Sequence, residues 1–137
     1  MLENQNLAIA SIVNSEIVLQ HFGYWPDFHD AEVDKVIFET HPTGRYSVTF
    51  FIAASEMLSE VDEKGYYKQT KHCIVALQFI GIKEVEFNYF SHQNALFDLK
   101  FEASGNDIEC TFESSVGLDA FIVAEEAFVM SLTPTKR

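Results

Sequence analysis

The residues with the most chemical capacity stand together in Trp25-Pro26-Asp27-Phe28-His29-Asp30, with Glu32 close behind. Imidazole flanked by carboxylates can bind Zn, Mn or Fe, and a His-Asp doublet is a ligand pair of metal phosphohydrolases. One reading is therefore a small metal-dependent hydrolase using His29, Asp30 and Glu32. Two observations weigh against it. The chain has no second His-Asp doublet, and neighbouring residues of an extended strand face opposite ways, so His29 and Asp30 would not converge. The preferred reading is structural: both side chains hydrogen-bond the turn backbone and fix the start of the first strand. No metal or other cofactor is expected.

A second dense stretch is Phe87-Asn88-Tyr89-Phe90-Ser91-His92-Gln93-Asn94. A nucleophile scheme would pair Ser91 or Cys73 with His92 and a carboxylate such as Asp98. No serine has a G-x-S-x-G context, and adjacent Ser91 and His92 are badly placed for base geometry. Gln93 and Asn94 read better as turn residues whose side chains bridge backbone groups. The glycines are scattered singly, so there is no phosphate-cradling loop. No catalytic residue is assigned, and an enzyme is not expected. Tyr66 and Tyr67 alternate with Lys68 and Lys71, a faint echo of a nucleic-acid patch, but a strand edge guarded by lysines explains them better.

Charge settles that comparison. With 9 basic and 21 acidic residues among 137, the formal charge is −12. Nucleic acid and anionic membrane surfaces both require a surplus of Lys and Arg, so neither is an expected partner. A 47% hydrophobic and 14% aromatic composition excludes a disordered acidic tail. The acids of 56–63 and 84–86, with Asp107, Glu109 and Glu113, form either solvated faces or a surface complementary to a basic partner. Glu84, Glu86, Asp107, Glu109 and Glu113 are the candidate partner-binding residues.

These groups must be positioned by a framework that the periodicity outlines. Leu7, Ile9, Ile12, Val13, Ile17 and Val18 recur at helical spacing, divisible at Asn14-Ser15 into two short helices. Asn14 or Ser15 would cap the second, and Gly23 would stop it. From residue 31 the period becomes two. Strands are predicted over 31–40, from Tyr46 to Ile52 and over 67–80, then at 85–89 after Gly81, at 96–102 and from Ile108 to Phe112. In the second strand Tyr46, Val48, Phe50 and Ile52 form the apolar set. The charged segment 55–65 reads as a long loop or a short helical turn, and 118–132 tolerates either strand or helix. The expected fold is mostly β (α+β): an antiparallel meander of six or seven strands, curled or sandwich-like, with an N-terminal helix. A curled aromatic sheet can also enclose an apolar ligand, so a small-ligand-binding β domain is a further alternative.

Residues 1–137 are read as one domain, because no repeat or Pro/Gly-rich linker divides them. Cys73 and Cys110 sit in alternating apolar runs as small buried hydrophobes, with no CxxC or Cys/His ligand spacing. The start of the chain lacks a basic n-region and no apolar run nears the roughly 18 residues of a membrane span, so a cytoplasmic location is expected.

The run from Phe22 to Val33 resembles the W-P-x-F-H-D-A-E-V signature of the immunity protein 50 family through Trp25, Pro26, Phe28, His29, Asp30, Ala31, Glu32 and Val33. Farther on, Leu77-Gln78-Phe79 and then Phe87, Phe90, Gln93, Asn94 and Leu99 are similar to the family's F-N-x-Q-N segment, with Ser91-His92 standing where an asparagine is common. The likeness covers most of the chain from the second helix onward. It implies a non-enzymatic bacterial immunity protein of a polymorphic toxin system, one that neutralises a cognate toxin by binding it. It also gives the acidic surplus a use. An acidic inhibitor can be steered to a basic toxin, a nuclease being one such class, and cover its nucleic-acid-binding surface.

Overall fold

The computed structural model describes residues 2–136. Two short helices, α1 (Leu2–Ser11) and α2 (Ser15–Phe22), precede β1 (Glu32–Thr40), β2 (Tyr46–Val61), β3 (Tyr67–Asn88), β4 (Ala95–Ser104), β5 (Asp107–Val116) and β6 (Asp119–Pro134). The predicted division of the helical stretch is present. Its cause is Val13, whose backbone leaves the helix to bridge β6, donating to Ala127 O at 2.9 Å and accepting from Val129 N at 2.8 Å. Asn14 follows in the left-handed region and does not cap α2 with its side chain, contrary to expectation; its Nδ2 donates to Val129 O instead. Gly23 does end α2, at φ 88, with its N–H on Leu19 O at 2.7 Å.

The strands are antiparallel and close into a barrel ordered β1-β2-β3-β6-β5-β4. The curl expected from sequence thus becomes full closure, which leaves few edges to protect. Two three-stranded meanders, β1-β2-β3 and β4-β5-β6, are joined by residues 89–94, and the second runs back so that β6 lies against β3. Inward positions alternate with outward ones along β5 and, with one change of parity at 125–126, along β6, as one buried face requires. Phe50, Phe79, Phe101 and Phe112, none more than 1% exposed, fill the interior. Phe50 stacks on Phe112 at 4.1 Å and meets Phe79 edge-on at 6.0 Å. The space that the ligand-enclosing alternative needs is occupied by side chains.

Three sequence expectations change. Residues 55–61 are strand, not loop: β2 and β3 continue as a hairpin beyond the barrel, turned at Asp62, whose Oδ1 accepts from Lys64 N and Tyr66 N. Because neither face of that hairpin is buried, its sequence carries no alternation. The strands predicted on either side of Gly81 are one, β3; Gly81 lies at φ 76, where a Cβ would run into the Glu125 carboxylate. The ambiguous 118–132 segment is strand, with Ala120, Ala124 and Ala127 as buried, inward residues. Cys73 and Cys110 are buried and free, and burial pushes the Cys73 thiol up to about 11. Among the described residues no helix is long and apolar enough to cross a membrane.

Candidate functional site

Residues 24–31 join α2 to β1 by a path that only specific contacts can hold. Phe28 and Asp30 both lie at positive φ, 61 and 66, a conformation that costs about 1 kcal/mol or more per residue and must be imposed from outside. Pro26 and Phe28 are buried, and the Trp25 ring meets Phe28 and Phe101 edge-on at 5.9 and 5.7 Å. Asp27 Oδ1 accepts from His29 N at 2.9 Å, and His29 Nδ1 donates to Phe97 O at 2.8 Å. The hydrogen bond to that carbonyl raises the His29 pKa, helped by Asp30, Asp27 and Asp98 and opposed by desolvation. Asp30 N donates to Leu96 O and Leu96 N to Ala31 O, each at 2.8 Å.

These bonds lie at the barrel seam. The ladder between β1 and β4 has one residue pair, Glu32 with Ala95, so the loop backbone and His29 supply much of the rest of the closure. His29 and Asp30 do converge, with Nε2 and Oδ2 3.6 Å apart, because the turn is not extended as the sequence reading assumed. Glu32 does not complete a ligand set: among the described residues no three His, Cys, Asp or Glu side chains are grouped to hold a metal. The hydrolase alternative therefore lacks its donor geometry.

Beside the loop is a cavity of about 480 Å³, lined by residues 24–30 and by Ser55, Glu56, Met57 and Gln69. Part of its polar wall is already engaged. Tyr24 Oη donates to Glu56 Oε2 at 2.8 Å, and Lys71 Nζ lies 3.4 Å from Glu56 Oε1 while donating to Phe22 O at 2.9 Å. The hydrogen bond of the first pair raises the Tyr24 pKa and lowers that of Glu56 from their ordinary values. Trp25 Nε1 is buried without a hydrogen-bond partner.

Asn94 and Gln93 separate in role. Asn94 is 3% exposed. Its Oδ1 accepts from Ser91 N and Leu118 N at 2.9 and 3.1 Å, and its Nδ2 donates to Ser91 O and Val33 O at 2.8 and 3.3 Å. One amide thus ties β1, the 89–94 crossing and the turn before β6. Gln93 is exposed and contributes only its backbone, bonded to Ser91 Oγ, so the expected side-chain bridge fails there. That same bond occupies the Ser91 hydroxyl, and Cys73 is buried in the barrel. The serine and cysteine schemes have no assembled base.

The five acids proposed as partner-binding share one wall. Glu84 and Glu86 on β3 lie opposite Val123 and Phe121 on β6, which lie opposite Glu109 and Thr111 on β5. Directly opposed residues of antiparallel strands point the same way. Asp107 and Glu113 share the outward parity of Glu109, and Glu102 and Asp98 on β4 face Glu109 and Glu113. Two lysines answer them: Lys83 holds Asp107 at 2.9 Å, and Lys100 reaches Glu113 at 3.1 Å and Asp98 at 4.0 Å. Phe121, Asp119, Glu113 and Glu86 border a cleft of about 220 Å³ within the wall.

Sequence reading missed a second surface. Tyr46, in the apolar set of the second predicted strand, and Val85, at the start of the one predicted over 85–89, are 71% and 43% exposed beside Phe38, at 54%. The family model described as Immunity protein 50 matches residues 14–135. No curated protein and no solved structure matches the chain.

Proposed function

The chain belongs to the immunity protein 50 family, and from that premise we propose that it neutralises a cognate toxin domain of a polymorphic toxin system by binding it, without chemistry of its own. The observation that carries the proposal is the family match over residues 14–135. Residues 1–137 act in this reading as one immunity domain in the cytoplasm of the toxin-producing bacterium, with neither nucleic acid nor membrane as partner.

The acidic wall supports a basic target. Glu84, Glu86, Asp107, Glu109 and Glu113 would meet cationic side chains, speed encounter by long-range attraction and exclude nucleic acid from a toxin surface built to bind it. A nuclease is the class of toxin for which this form of blockade is sufficient. The test is to express the toxin domain encoded beside this gene with and without the chain. Rescue of growth, a stable complex in solution and an association rate that falls steeply with salt are expected. Cells that die regardless, with no complex formed, would refute the reading; rescue with a salt-independent rate would refute the basic-target part alone.

A further inference from the structure

β3 outruns its neighbour at one end of the barrel. It pairs with β2 only as far as Ile80, opposite Ser47, whereas its pairing with β6 continues to Asn88. Residues 83–88 therefore have a ladder partner on one side and an open edge on the other. Along this stretch Val85 and Phe87 lie opposite Ile122 and Ala120, both buried, so they face the barrel mouth while Glu84 and Glu86 face outward. Phe38 meets Phe87 edge-on at 5.2 Å and Phe90 stacks on it at 6.0 Å. Phe38, Tyr46 and Val85 line a groove of about 330 Å³ directly beside the open edge.

We propose that this edge and groove together receive an extended segment of the toxin as an added strand, with apolar side chains alternating with Lys or Arg. The inference rests on the reading above that the chain binds a toxin. Its physical content is period two. A strand laid on the edge satisfies the free N–H and C=O groups of 83–88 and sends alternate side chains to opposite faces. One set enters the aromatic groove, where burial of rigid rings is most productive. The other set lies beside Glu84 and Glu86, neither of which makes an ion pair among the described residues. A cation is the complement that both carboxylates lack. A second copy of this chain is the wrong occupant, because β3 against β3 would set Glu84 and Glu86 against their counterparts, in a molecule of net charge −12.

The probe is the purified toxin domain encoded beside this gene, titrated into the full chain and three double variants. Tyr46→Ala with Phe38→Ala should weaken binding at least about tenfold. Glu84→Lys with Glu86→Lys should slow association and flatten its salt dependence. Tyr67→Ala with Met57→Ala, at the opposite hairpin, should bind like the parent. Hydrogen exchange on the unmodified complex gives a readout that needs no variant: the amides of 83–88 should gain protection. Unchanged affinity in a folded groove variant, no protection at 83–88, or a dimer that the groove variant abolishes would each overturn the proposal while leaving toxin binding intact. Absence of any complex with the parent chain would overturn the functional reading and this inference together.

Discussion

Replacing Asn94 by Ala tests how the barrel is held shut. The side chain makes four hydrogen bonds, two accepted by Oδ1 and two donated by Nδ2, to three separate parts of the chain. The bond from Leu118 N is buried, so its loss strands a donor where water cannot reach, at about 1–3 kcal/mol. The other three lose about 0.5–1.5 kcal/mol each, less where the turn can admit water. The expected loss is about 3–5 kcal/mol, read as a lower urea midpoint at unchanged m-value. In thermal unfolding this corresponds to a fall of roughly 12–20 °C. Asn94→Asp separates acceptor from donor: it keeps the Ser91 and Leu118 contacts but points a carboxylate at the Ser91 and Val33 carbonyls. It should be at least as damaging as alanine at neutral pH and recover in acid. Gln93→Ala, one residue away and exposed, should stay within about 0.5 kcal/mol of the parent. A loss under about 1 kcal/mol for Asn94→Ala would refute the claim that this amide bears the seam.

Gly117→Ala should be as severe as Asn94→Ala, because Gly117 sits at φ 85 and a Cβ there would collide with Gln93 O and the Asn94 amide oxygen; near-parent unfolding midpoints would show that the turn yields easily. His29 gives a pH signature. Its folded-state pKa is raised, so its contribution is complete below the unfolded value of about 6.5 and is lost as pH rises through the folded one. His29→Gln should therefore lose more stability relative to the parent at about pH 5.5 than at about pH 8; a difference that does not vary with pH would refute the assigned cause.

How much could be read in advance follows from what each signal requires. Alternation appears only where a strand has one buried face. It exposed β5 and the middle of β2, and failed for residues 55–61 of the protruding hairpin, where both faces are wet. It also failed to show that Tyr46, at the very start of β2, and Val85, on β3 beyond the last pair with β2, keep the inward parity but stay exposed. Parity says which face a residue takes, whereas burial depends on whether another strand is there to cover it. Gly23 was legible because a helix stop is local chemistry. Asn94 was half legible: its turn bonds to Ser91 are local, but those to Val33 and Leu118 depend on strand order. The acidic wall depends on the same order. Glu84 and Glu109 belong to strands that are neighbours only through β6, and no pattern within either segment carries that fact.

Much of the most recognisable stretch of sequence is spent inside the fold, whereas the proposed binding walls are not. In the Trp25–Val33 run, Asp27 and His29 are committed to hydrogen bonds, Trp25 and Phe28 to aromatic packing, and Val33 N to Asn94 O, all at the seam where β1 meets β4. A group whose bonds are already made inside the fold gains little by exchanging them for a partner's, since the same desolvation must be met twice. Glu84, Glu86, Phe38 and Tyr46 are in the opposite position: all are exposed, and the two carboxylates make no ion pair among the described residues. The division of labour that this proposal implies is closure by the motif and recognition by the walls. Substitutions in the motif should lower toxin protection in proportion to lost folded protein, and substitutions on the walls should lower it at full stability. Measuring complex affinity against unfolding free energy across both sets distinguishes them: one common line would mean that the walls, too, act only through the fold.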